Sequence, residues 1–197
     1  MKIKAVFGLI MGLQCGDSWA QQFSIPAEFV SEVKQAETTG VELFRVFANA
    51  KPITSPTELK AQSTAETAPI DRCDTPYRTV VLPPKKAQKS ITVYIMGIPS
   101  LMAGIMGGRH FRVEVSPDGG SVLSVTPSTQ TCLFTKPNAM PNGAKSVGAL
   151  MTHILSVAPT EFQVFLSLYN KQPLYVGTKA GVWRIENGKV SYVSKPK

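Results

Sequence analysis

His110-Phe-Arg-Val-Glu-Val115 alternates polar and apolar residues without a break, and Ser116-Pro-Asp-Gly-Gly120 follows it directly. An extended chain sends successive side chains to opposite faces. His110, Arg112 and Glu114 therefore share one face and Phe111, Val113 and Val115 the other, the pattern of a half-buried strand. Asp-Gly tolerates the positive φ that a tight hairpin demands, so residues 121–126 are predicted to return antiparallel.

Working outward, residues 78–82 and 90–96 are strand-like, rich in Val, Ile and Tyr, and Pro83-Pro84-Lys85-Lys86 separates them. Downstream, residues 127–146 read as loop. Residues 148–157, 162–169 and 174–178 then follow as strand candidates. A helix is the second reading of 148–157, but Thr152, Ile154 and Val157 favour strand. Residues 182–186 and 189–194 flank Asn187-Gly188, the signature of a hairpin on a type I′ turn. Residues 176–189 are similar to one repeat of a β-propeller. At roughly 40 residues per blade, the 120 residues from Arg78 hold three blades at most, so no family is assigned.

The N-terminal side has a different period. Residues 24–50 are predicted to form two short helices. Ser24 would cap the first and Pro26 lies in its first turn. Phe29, Val30, Val33 and Ala36 recur at helical spacing, and Gly40 marks the end. Thr39 and Glu42 have capping-box spacing for the second, whose apolar side is Leu43, Phe44 and Phe47. Residues 51–77 are rich in Pro, Thr, Ser and Ala and read as a linker. The prediction is α+β: two short helices (21–50), a linker (51–77) and a body (78–197). The body is a mostly antiparallel sheet of about eight short strands joined by hairpins.

Residues 1–20 have the order of a secretory signal. Lys2 and Lys4 start it, residues 5–13 are uncharged and mostly apolar, and Ser18-Trp19-Ala20 offers small residues for cleavage after Ala20. The apolar run is far short of the ~20 residues that cross a bilayer. Lipidation at Cys15 is the alternative, disfavoured by Gln14 just before it. Cleavage leaves Cys73 and Cys132. In an oxidising compartment an even pair is predicted to form one disulfide.

The chain has 21 basic and 13 acidic residues, a net charge of +8. The charge is unevenly placed. Residues 21–77 carry 5 basic and 8 acidic residues, and residues 78–197 carry 14 and 4. An acidic helical arm on a basic body is one consequence. An anionic partner of the body, such as an envelope component or an acidic protein, is another. Export and the lack of an aromatic-studded basic strand speak against nucleic acid.

No GxSxG, HExxH, Walker loop or GxGxxG followed by an acidic residue is present. Ser31-Glu-Val-Lys34 matches SxxK, but the partner motifs of penicillin-recognising enzymes are missing. Only Glu114, Asp118, Glu161 and Glu186 are acidic after Asp74. His153 with Glu161 is the one acid/base pair the sequence offers a small hydrolase.

Residues 90–108 hold nineteen consecutive uncharged positions. Glycines and Pro99 argue against a membrane span, leaving a strand and then an apolar loop over 98–108. Exposed, the loop is a contact surface: Ile98, Leu101, Met102, Ile105 and Met106, flanked by Arg109 and Arg112. Folded inward, it is a lid on the core. Met102, Met106 and His110 are spaced four apart, a donor set suited to Cu(I). The leading expectation is an exported, periplasmic or secreted bacterial protein that binds a protein or an anionic envelope component without catalysis, in an inhibitor, immunity-type or envelope-associated role. A copper-binding protein and a His153/Glu161 hydrolase are the alternatives.

Overall fold

The computed structural model describes residues 24–83, 88–99, 104–135 and 147–195. The expected signal segment, Leu101 and Met102 lie outside them. A 3₁₀ turn (Ala27–Phe29) leads into α1 (Val30–Asn49), followed by α2 (Pro56–Glu66). Next come β1 (Tyr77–Val81), β2 (Ile91–Gly97), β3 (Ile105–Met106), β4 (Phe111–Val115), β5 (Val122–Pro127), β6 (Phe134–Thr135) and β7 (Ala149–Thr152). α3 (Glu161–Asn170), β8 (Leu174–Thr178), β9 (Gly181–Glu186) and β10 (Lys189–Ser194) complete the order. The fold is α+β, with three α-helices and ten strands among the described residues, two more strands than expected.

The 110–126 hairpin is as read: β4 pairs antiparallel with β5, Val113 opposite Val125. β2 pairs with β4 and β1 with β2, giving a sheet of order β1-β2-β4-β5. A second sheet has the order β10-β9-β8-β7. Its β9–β10 hairpin turns at Asn187 and Gly188, both at positive φ (50° and 78°) as a type I′ turn requires. β3 and β6 form a separate short pair.

Three expectations need correction. The first concerns Gly40, which does not end a helix; α1 runs through it for twenty residues. A Cβ built there would lie 2.5 Å from Val164 Cβ on α3, so glycine is what lets the two helices cross closely. Ser24 caps nothing, since the residue before the 3₁₀ turn is Pro26, and Thr39 and Glu42 sit mid-helix.

Second, the expected linker contains α2. Ser55 caps it by accepting the Glu58 N–H, and Pro56 opens its first turn. Ala61 and Ala65, one turn apart, are fully buried on Val81, Val93 and Val113. Two alanines give a narrow apolar stripe that composition does not betray.

Third, residues 162–169 are helical. Thr160 and Gln163 form a reciprocal capping box, and residues 161–167 are all buried. A helix buried on every side shows no amphipathic period. The consequence is topological. With α3 between them, β7 and β8 pair parallel, in register Met151 with Val176. Residues 153–157, expected to extend the strand, lie beyond its end.

α2 covers one face of the first sheet. α1 and α3 lie between its other face and the second sheet. Val33, Leu43 and Phe47 of α1 and Phe162 and Phe165 of α3 meet Val80 and Tyr94 on one side and Val176, Trp183 and Ile185 on the other. Deep apolar burial of this kind carries most of the stabilisation, at about 25 cal/mol per Å² removed from water.

Candidate functional site

Cys73 and Cys132 are joined, with Cα atoms 5.9 Å apart, as the sequence predicts. The bridge ties the segment after α2 to the segment between β5 and β6. An open groove of about 540 Å³ lies against it, walled mainly by Pro76, Pro99, Met106, Leu133 and Phe134. Phe134 is 41% exposed, a large apolar ring held at the surface. Asp74 and Thr75 contribute the polar rim.

Tyr77 is the post beneath this groove. Its hydroxyl accepts the Cys73 N–H at 2.9 Å and donates to the Arg109 carbonyl at 3.0 Å. Burial raises its pKa, against the pull of the Arg72 and Arg109 charges. Arg72 stacks over the Tyr77 ring at 5.6 Å, and Arg109 pairs with Asp71 at 3.0 Å. Neither arginine lines the groove, whose one charged lining residue among the described residues is Asp74.

The apolar loop turns inward over its described part. Gly104 to Gly108 are buried, Ile105 and Met106 among them, and Ile98 is half-buried. Gly97 packs directly on the Met106 sulfur, where a Cβ would be 2.5 Å away. Ile105 and Met106 are thus core residues. Met106 reaches the groove wall, and Pro99 lies beside it.

His110 organises this turn. It is fully buried. Its Nδ1 accepts the Gly97 N–H at 3.1 Å, and its Nε2 lies 2.9 Å from the Met106 carbonyl, to which it donates. Burial lowers its pKa to about 4, partly offset by the Met106 carbonyl, so the ring is neutral at physiological pH. Both ring nitrogens are in use, which leaves no lone pair for the copper donor set expected of Met102, Met106 and His110. Among the described residues, no group of three or more His, Cys, Asp or Glu side chains could hold a metal ion.

Arg112 lies elsewhere, in a polar cluster between the first sheet and α3. Its Nη1 donates to Glu161 Oε1 at 2.8 Å, and its Nε lies 3.6 Å from Glu114. The Tyr94 hydroxyl donates to the same Glu161 oxygen at 3.1 Å, and Ser90 and Thr92 donate to Glu114. Burial tends to lower the Arg112 pKa, but the Glu161, Tyr94 and Glu114 charges outweigh it and raise it. Burial and the Glu161 carboxylate both push the Tyr94 hydroxyl up. This is an ion-pair network around the buried Glu161 and Tyr94 in which Arg112 Nε has no hydrogen-bond partner among the described residues.

His153 is 3% exposed and close enough to Glu161 to feel its charge; burial nevertheless lowers its pKa. Neither ring nitrogen has a hydrogen-bond partner among the described residues. Glu161 Oε1 is occupied by Arg112 and Tyr94 instead. The acid/base dyad expected of His153 and Glu161 is near but not hydrogen-bonded. The cleft beside Glu161, about 470 Å³ between residues 155–160 and Glu32 and Gln35 of α1, holds the hydroxyls of Ser156 and Thr160, but these donate to the Ala158 carbonyl and to Gln163 and not to His153 or Glu161.

Sequence reasoning overlooked Tyr77, Tyr94, Leu133 and Phe134. Tyr94 was legible only as a strand residue, and Tyr77 fell at the end of the expected linker. Leu133 and Phe134 follow Cys132 directly, so a disulfide at Cys132 already anchors them near residue 73. No family model matches this chain, and no curated protein or solved structure is significantly similar to it.

Proposed function

We propose that this chain is an exported bacterial binding protein, periplasmic or secreted, that acts without catalysis through the apolar groove beside its disulfide. The observation that carries the reading is Phe134: a large ring left 41% exposed on a groove wall that the Cys73–Cys132 bridge holds in place. Exposed aromatic anchors in concave apolar sites are where binding energy concentrates. The order of residues 1–20 and the disulfide both suit an oxidising compartment.

The groove's apolar wall favours a protein segment with an apolar anchor. The anchor would fill the space against Met106, Leu133 and Phe134. An anionic polymer offers no apolar group for that wall.

Capture from envelope extract tests this reading with Phe134→Ser and Leu123→Ser side by side. Both side chains are exposed, so neither change disturbs the core. The expected result is a protein captured by the wild type and by Leu123→Ser, with capture reduced at least tenfold by Phe134→Ser. Equal capture by all three removes the groove from the account.

A further inference from the structure

We propose that the outer edge of β7 is a pairing surface for a second copy of this chain, joining two four-stranded sheets antiparallel across a two-fold axis. The backbone sets the geometry. Ala149 N–H donates to the Pro173 carbonyl and His153 N–H to the Gly177 carbonyl. In a parallel ladder, alternate residues turn both backbone groups toward the partner. Leu150 and Thr152 therefore turn theirs outward, where no strand pairs with them among the described residues.

The other edges of the two four-stranded sheets are guarded. β1 carries Arg78 and is bonded to α2 through Thr79 and Glu66. β5 ends on Pro127, and the ladder it shares with β4 has a bulge. β10 has a register shift between Tyr192 and Ser194 and lysines at both ends. Lysine, proline and bulges are the usual defences of an edge strand. β7 has none of them. Residues 147–160 contain no charged residue at all.

The occupant follows from this composition. An uncharged edge offers nothing to select a charged partner strand, but it complements itself. Placing Met151 opposite Met151 of the second copy puts Leu150 opposite Thr152 in both directions. Each such pair exchanges two N–H···O bonds, four in all. Leu150 and Ile154, on the outer face, are 70% and 64% exposed, and Val147 is 79% exposed. On the joined sheet, Leu150 would lie beside Thr152 of the second copy. The net charge of each copy opposes association at long range and is screened within about 8 Å at physiological ionic strength.

The test is sedimentation equilibrium of the full chain after signal removal, from low- to high-micromolar concentration. Leu150→Lys with Ile154→Lys is the second sample. Both positions are solvent-facing, so the variant keeps its helix and sheet content by circular dichroism. The expected result is a concentration-dependent dimer that the two lysines convert to monomer. Mixing a Leu150→Cys copy with a Thr152→Cys copy should also cross-link them faster than either does with a Leu123→Cys copy. A monomer throughout, a dimer indifferent to the lysines, or cross-linking no faster than with Leu123→Cys overturns the proposal. The groove variants leave this result unchanged, so the two readings fail separately.

Discussion

His110 ties Gly97 to Met106 through its two ring nitrogens, and it does so only as a neutral ring. Protonation would replace its Nδ1 lone pair with a second donor facing the Gly97 N–H. Its pKa, about 4 in the folded chain against an ordinary 6.5, is lowered chiefly by burial. The unfolded chain therefore takes up the proton first as pH falls. Stability is complete above about pH 6.5 and declines toward pH 4, by on the order of 3 kcal/mol from this residue. His153, also shifted down, adds in the same direction. An NMR titration of the His110 ring checks this directly. A neutral imidazole at pH 5 is expected, and a midpoint above 6 contradicts it. Arg112 shows the opposite economy: its Glu161 and Glu114 contacts leave a buried carboxylate dependent on one cation, an arrangement that is costly to break and of modest net value when intact.

Among the elements, α1 and α3 depend on Gly40. Replacing it with alanine improves helix propensity by about 1 kcal/mol. The new methyl would lie 2.5 Å from Val164 Cβ and 2.8 Å from the Glu161 carbonyl oxygen. Forcing the helices apart costs more, so Gly40→Ala should lower stability by about 1–3 kcal/mol in a urea titration. A stabilised variant would contradict the packing described here. The same crossing explains what the sequence concealed. A glycine in a helix and a glycine after one look alike until the partner helix is known. The run from Phe162 to Tyr169 has no period because it has no exposed side. Its start was nevertheless legible in Thr160 and Gln163, and α2's in Ser55 and Pro56. Strands were read better, because β4 and β9 each have one wet face and so alternate.

At the scale of the whole molecule, the acidic N-terminal part does lie on the basic body, but charge is a minor bond between them. Glu37 meets Lys189 at 3.2 Å with the lysine 80% exposed, and such pairs contribute little. Leu43 and Phe47, buried between two sheets, do more. The positive excess of the body is not spent on that contact, and the disulfide-pinned groove is the proposed contact surface. Of this site the sequence revealed the disulfide and Met106. It could not reveal that Pro76, Pro99 and Phe134 converge, because they come from three separate loops and strands. Hydrogen–deuterium exchange of the intact, oxidised protein bound to the partner captured from envelope extract tests this claim most directly. Protection confined to residues 73–77, 98–99 and 132–135 is the predicted result. Protection at Arg112 and residues 155–161 instead, with the groove exchanging as in the free protein, would contradict it.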